Sequence, residues 1–366
     1  MAGHQTPGAF QKYPKMAESS GAVGAAAGAG RYLVTEKVHG ANFCIIARRD
    51  VDDRAVVQFA KRTGVVGDEA GGEDFYSCRS TGLLQNLAPR AKTLLAQLDA
   101  QIAAAHIYGE LYGGHYPHPD VQPVPKLQPV QCGVWYCPDL RFLAFDVALE
   151  QSASPGLPQR QFLDFAKARS LCEAVGLAFA PPLFEGTLSE CVDFSEEFET
   201  TLPQSWGLPR ISDAGEGHPN NAEGVVVRPA REPAGRDGAQ AECRGLFKRK
   251  AAAFSEKRYQ NDGWRKGKAG CAGCTQQVER EDLARIEILA CVVPNRLHAV
   301  QSKVGRVDVR DRPAVLRLLE LFKDDVREAL AEEDRALLDS SSALQTELEG
   351  ACKDCMRAEL VGGRTK

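Results

Sequence analysis

The side chains best suited to chemistry in this sequence are charged residues set inside apolar, strand-like stretches. Lys37 stands in YLVTEKVHGANF, three positions before Gly40. Glu110 lies in IYGELYG, Asp146 in LAFDV, Glu223 in AEGVVVRP, and Lys248 with Lys250 in LFKRK. Charges embedded in this way are costly unless they are paired or put to use. A K-x-x-G element alone carries little weight, because a lysine near a glycine at a strand end is common. As a set the residues read differently. A lysine amine, with an ordinary pKa of about 10.4, becomes a nucleophile only when desolvation or neighbouring positive charge deprotonates it. Lys248 and Lys250 would supply such charge, and carboxylates are the ligands a hard divalent cation prefers.

These residues require a framework of strands. RYLVTEKV and NFCIIA are two β-type segments broken at Gly40, the pattern of a hairpin or a bent strand. AVVQFA, AAHIYGELYG, GVWYC, RFLAFDVAL, EGVVVRP and RGLFKRK are further candidate strands. Alternation along LFKRK puts Lys248 and Lys250 on one face, away from Phe247 and Arg249. LLQNLAPRAKTLLAQLDAQIAAA and RQFLDFAKARSLCEAVG show helical spacing. Strands outnumber helices, so the first part is expected to be an α+β domain of antiparallel sheets with flanking helices. GWRKGKAGCAG breaks the pattern near residue 270. Beyond it VEREDLARIEILACVV, DRPAVLRLLELFKDDVREALAEEDRALLD and a last segment from Ser342 read as helices. The expected division is therefore 1–270 and a smaller, mostly helical domain over 271–366.

At 366 residues the chain exceeds the size of one ordinary core, in keeping with two domains. A net charge of -4 gives no global attraction to nucleic acid, so contact with a polyanion must be local. Lys248, Arg249, Lys250, Lys257, Arg258, Arg265, Lys266 and Lys268 form such a basic tract. Asp324, Asp325, Glu328, Glu332, Glu333, Asp334 and Asp339 reverse the sign further on. No apolar run reaches membrane-spanning length. The 12 cysteines lack the spacing of a secreted scaffold and are expected to be reduced intracellular thiols. Cys271-x-x-Cys274 and Cys352-x-x-Cys355 have zinc-type spacing, but they lie far apart and outside the charged constellation, which favours plain thiols. The Ala/Gly-rich opening is nearly free of arginine and is a poor mitochondrial presequence.

In order along the chain, EKVHGANF, KRTG, IYGELYGG, FLAFDV, EGVVVRP and FKRKAAAFSEK resemble the nucleotidyl-transfer motifs of ATP-dependent RNA ligases. The branch is that of the phage-type double-strand-nick ligases and the trypanosomatid mitochondrial editing ligases. IYGELYGGHYPHP, GVWYCPDLRFLAFDV and VPNRLHAVQSKVG are most similar to the editing enzymes. The resemblance spans roughly Tyr13 to Val309, and six ordered motifs are a specific signal. One departure is Ala41, where a threonine is common.

The resemblance implies Lys37 as the nucleophile that takes AMP. Glu36 would meet the adenine edge, Val38 would line the nucleotide pocket, and His39 and Asn42 would lie by the phosphate. Arg62 would bind that phosphate or the incoming 5′-phosphate end. Glu110 would hold the ribose and Phe145 would stack on adenine. Asp146 and Glu223 would serve Mg²⁺ (or Mn²⁺) or activate the nucleophile, Lys248 and Lys250 would hold the phosphates, and Arg228 would add a phosphate or substrate contact. ATP is the implied cofactor and RNA, as a nicked duplex or bridged ends, the implied partner. The C-terminal helices would handle RNA or dock a basic partner protein, and mitochondria are the implied compartment. Two alternatives stand beside this reading: a DNA ligase or capping-type nucleotidyltransferase, disfavoured by His39 where those families carry aspartate, and a non-catalytic RNA-binding scaffold, disfavoured by the intact charged set.

Overall fold

The computed structural model describes residues 9–18, 30–67, 74–151, 160–214, 219–233, 244–255 and 280–362. It divides into two compact units, Met1–Ala251 and Ala252–Lys366. The boundary expected near residue 270 lies outside the described residues, as do Lys257, Arg258, Arg265, Lys266, Lys268, Cys271 and Cys274.

The first unit is built on two antiparallel sheets. Its strands are β1 (Tyr32–Glu36), β2 (Ala41–Arg49), β3 (Ala55–Lys61), β4 (Gly64–Val65), β5 (Ile102–His115), β6 (Cys137–Gln151), β7 (Arg160–Phe162), β8 (Pro182–Gly186), β9 (Gly224–Pro229) and β10 (Phe247–Lys250). A large sheet has the order β4-β3-β2-β5-β6-β7 and a small one the order β10-β9-β1-β8. Alternation along β2 sends Ala41, Phe43, Ile45 and Ala47 into the main core. There they pack with Leu87, Ala91 and Leu94 of helix α1 (Leu83–Ala96) and Phe165, Ala168 and Cys172 of helix α2 (Phe165–Ala174). The opposite face carries a smaller cluster, with Cys44, Ile46, Tyr108 and Phe162 packed beneath Tyr13. The small sheet buries Tyr32, Val34, Val225, Val227 and Phe247 with Cys191.

Tertiary pairing revised several sequence expectations. β1 and β2 do not form a hairpin, because β1 pairs with β8 and β9 whereas β2 pairs with β3 and β5. The chain instead crosses from one sheet to the other through Lys37–Gly40. The helix expected to run through QIAAA stops at Ala96, and the small residues after it open β5, where pairing with β6 overrides alanine's helical preference. GVWYC is not a separate strand, since pairing begins only at Cys137. The long helical stretch from Asp311 breaks into Arg312–Ala329 and Glu332–Ser340, with Leu330 and Ala331 extended between them.

The second unit is a helical cluster over Arg280–Cys291, Pro294–Val304, Arg312–Ala329, Glu332–Ser340 and Ser342–Gly362. Its core includes Ile288, Leu297, Leu318, Phe322, Val326, Leu348, Cys352 and Met356. Its acidic residues are partly used within the unit: Asp325 meets Lys303 at 2.5 Å and Arg296 at 2.9 Å, and Arg327 meets Asp339 at 2.6 Å. Cys352 is buried in this core, and burial, then Cys355, push its thiol up to about 12. Among the described residues no cluster of metal-ligating side chains occurs, and no helix is long and apolar enough to cross a membrane.

Candidate active site

The site is assembled where the chain passes between the sheets. Antiparallel register sets Glu36 opposite Val225, and the Lys37 N–H continues the ladder by donating to the Gly224 carbonyl at 2.9 Å. On the other side of β9, Gly224 pairs with Lys250. Gly224 thus separates two lysines along one row of the sheet. A side chain there would strike the Arg249 carbonyl, and its φ of +146° is one that other residues rarely adopt. Gly40 is needed for a similar reason, because a Cβ would collide with the Leu111 carbonyl where the crossing chain meets β5.

Glu223, just before β9, is the hub. Its side chain is only 3% exposed, and Oε2 lies 2.6 Å from Lys37 Nζ and 3.2 Å from His39 Nδ1, while Oε1 lies 3.0 Å from Lys250 Nζ. Burial by itself would raise this carboxyl, yet Lys37, His39 and Lys250 hold it well below the usual carboxylate range. Glu110, half-buried on β5, has the opposite balance. Burial pushes it up to about 8, with repulsion from Glu223 added, against Lys37, Arg62 and Lys250. Asn42 sits directly across from Glu110 in the β2–β5 ladder. Arg62 follows β3 and donates from Nη1 to the Tyr13 carbonyl at 2.5 Å. Lys248, on the same face of β10 as Lys250, lies 3.5 Å from the Glu18 carboxylate. Val38 is buried between Lys37 and His39.

Glu36, Asp146 and Arg228 sit among protein partners rather than open towards Lys37. Glu36 turns away from Lys37, as neighbours on an extended chain must. Its Oε1 accepts from the Thr200 hydroxyl at 2.6 Å. Burial raises this carboxyl to about 7 against the pull of Thr200, Thr201 and Tyr136. Asp146 is enclosed: Arg244 at 2.8 Å, Arg228 at 3.3 Å and the Tyr13 hydroxyl at 2.8 Å occupy its oxygens. Burial opposes its ionisation, and Arg228 and Arg244 keep it below the ordinary aspartate range. Asp146, for which a metal or activating role was expected, and Arg228, for which a phosphate or substrate contact was expected, both lie in this internal ion-pair cluster, which also holds Glu232. Phe145 is the extra residue of a bulge, since Tyr108 pairs with Asp146 and Gly109 with Ala144. The bulge sets Phe145 beside Tyr13, ring centroids 5.1 Å apart, with Asp146 next to it.

The sequence reading missed Tyr136, Asn220 and Arg244. A tyrosine inside the apolar run GVWYC is itself a signal, because a buried phenol needs a partner. Asn220 and Arg244 give no such sign, since their partners are distant in sequence.

A sequence model of the family described as RNA ligase matches residues 30–250. The chain is 30% identical over 241 residues to the mitochondrial RNA-editing ligase 2 of Trypanosoma brucei brucei, covering 62% of this chain and 54% of that protein. The chain thus spans about half the length of this curated relative. Among solved structures it is similar to a Naegleria gruberi RNA ligase variant with ATP and manganese, at 14% identity and a TM-score of 0.39, covering 69% of this chain and 60% of the other. It is also similar to the Naegleria gruberi RNA ligase with pyrophosphate, at 12% identity and a TM-score of 0.39, covering 69% of this chain and 61% of the other.

Proposed function

The chain belongs to the RNA ligase family, and from that premise we propose that it is an ATP-dependent RNA ligase working through a lysyl-AMP intermediate on Lys37. One observation carries the reading: two ammonium groups, Lys37 and Lys250, and the His39 imidazole converge on the single buried carboxylate of Glu223. A buried carboxylate so surrounded fixes the amine that will attack and gathers positive charge where phosphates would arrive.

In the first step the Lys37 nitrogen forms a bond to the α-phosphorus of ATP as the bond to pyrophosphate breaks, and the ammonium loses its protons. Glu223, 2.6 Å from the Lys37 amine, orients it for attack, and the protons leave to solvent or to the departing phosphate. Lys250, Lys248 and Arg62 would meet phosphate charge, Glu110 and Asn42 would face the sugar-phosphate side, and Phe145 offers a ring for the base. In the second step an RNA 5′-phosphate takes the AMP from Lys37. In the third, a 3′-hydroxyl attacks that phosphate and AMP departs.

A divalent ion would supply charge neutralisation at the phosphates. Neither Asp146, enclosed by two guanidinium groups and a phenol, nor Glu223, enclosed by two ammonium groups and an imidazole, fits direct coordination of a cation. Nicked duplex RNA, in editing or repair, is the proposed substrate, mitochondria the proposed compartment, and RNA handling or partner docking the proposed task of the helical unit.

Incubation with α-labelled ATP and Mg²⁺ tests the reading. Wild type should become labelled on a denaturing gel and Lys37→Ala should lose at least about 10³-fold of the label. A wild type that takes no label across metals and pH would remove the ligase assignment and leave an RNA-binding scaffold.

A further inference from the structure

Lys37 is held from its side chain by Glu223, but the turn that carries it is held from elsewhere. At its far end the His39 N–H donates to the Tyr136 hydroxyl at 3.0 Å. At its near end the Glu36 carboxylate accepts from Thr200 at 2.6 Å. Both supports lead to Asn220. Its side-chain amide accepts from the Trp135 N–H at 2.9 Å and donates to the Trp135 carbonyl at 2.7 Å, which fixes the backbone next to Tyr136. Its own carbonyl accepts from the Thr200 N–H at 2.9 Å. Asn220 is also three residues from Glu223, so the segment that seats the turn presents the carboxylate as well.

Tyr136 is fully buried, with Tyr112 against its ring at 5.3 Å between centroids. Its phenol lies among Glu36, Glu223 and Glu110, and burial, reinforced by these carboxylates, keeps it protonated. It is therefore a neutral hydroxyl able to accept from His39 while keeping its own proton. Resting on the ligase reading above, we propose that Tyr136 and Asn220 are positioning residues that brace both ends of the Glu36–His39 turn and so aim the Lys37 amine.

The brace makes an unequal demand on the three steps. Only the first uses the Lys37 amine as attacking group, and near-attack geometry is where small displacements cost most. Joining of an already adenylylated RNA does not require it. Tyr136→Phe keeps the ring and removes the acceptor. In the full-length chain it should slow single-turnover formation of the lysyl-adenylate about tenfold at saturating ATP, one hydrogen bond's worth. KM for ATP and sealing of pre-adenylylated nicked RNA should stay within about twofold. Hydrogen–deuterium exchange of the His39 amide should accelerate in the same variant. Asn220→Ala, which removes both side-chain bonds to Trp135 without adding a charge, should show the same pattern, and it replaces the first variant if that one fails to fold. Unchanged adenylylation, or a parallel fall of adenylylation and sealing, would overturn the proposal. Should wild type form no adenylate, the ligase reading fails, and His39 exchange still decides the brace: unchanged protection in the variants rejects it.

Discussion

At the scale of single residues, two carboxyls a short distance apart in function are pushed in opposite directions. Glu223 is paired with cations and lowered; its contribution to stability is present above an unfolded value of about 4.5 and is lost as pH falls through its folded value. Glu110 is raised to about 8 by burial, which inverts the sign. Between about 4.5 and 8 the folded state holds the extra proton, so Glu110 makes stability fall as pH rises across that window. Glu110→Gln should accordingly raise Tm by roughly 2–4 °C at pH 8 and change it little at pH 5, measured by scanning calorimetry. Equal shifts at both pH values would show that Glu110 does not titrate in this way.

At the scale of elements, the site depends on how closely strands approach. Gly224 lets β9 carry Lys37 on one side and Lys250 on the other, and any Cβ would press on the Arg249 carbonyl. Gly64, in the short β4, has nothing within 4 Å of a Cβ. Gly224→Ala should cost about 1–3 kcal/mol in urea unfolding, and Gly64→Ala less than about 0.5 kcal/mol. Similar costs at the two positions would mean that β9 tolerates displacement. The bulge at Phe145 is a second such device: one extra residue brings a ring and the enclosed Asp146 onto the same strand position, and the ion-pair cluster of Arg228 and Arg244 then fastens β6 to β9. Breaking one partner of that cluster would leave a buried charge uncompensated, whatever the substrate.

At the scale of the whole molecule, the described charged groups gathered around Lys37, from His39 to Lys250, lie in the first unit. Its main core and its smaller clusters also close within that unit. A chain ending after Ser255 should therefore retain labelling by α-labelled ATP within about tenfold of full length, while RNA sealing drops further. Loss of label from a folded truncation, judged by its circular dichroism melt, would assign part of the nucleotide chemistry to the helical unit.

What the sequence by itself determined was the inventory and its order: the lysine before Gly40, the carboxylates inside apolar runs, the paired lysines on one face of LFKRK, and the α+β class followed by helices. These are legible because burial penalises unpaired charge and because strand and helix periods are local. The tertiary structure decided which carboxylate does what. Asp146 and Glu223 look alike in sequence, each an acid in a β-type stretch. Long-range pairing gives one to Arg228 and Arg244 and the other to Lys37, His39 and Lys250. It also turned an expected hairpin into a crossing between sheets, and it brought Tyr136 and Asn220 to the lysine's turn from about a hundred residues or more away in sequence. Such contacts leave no periodic trace, because they are fixed by register and by the packing of elements distant along the chain.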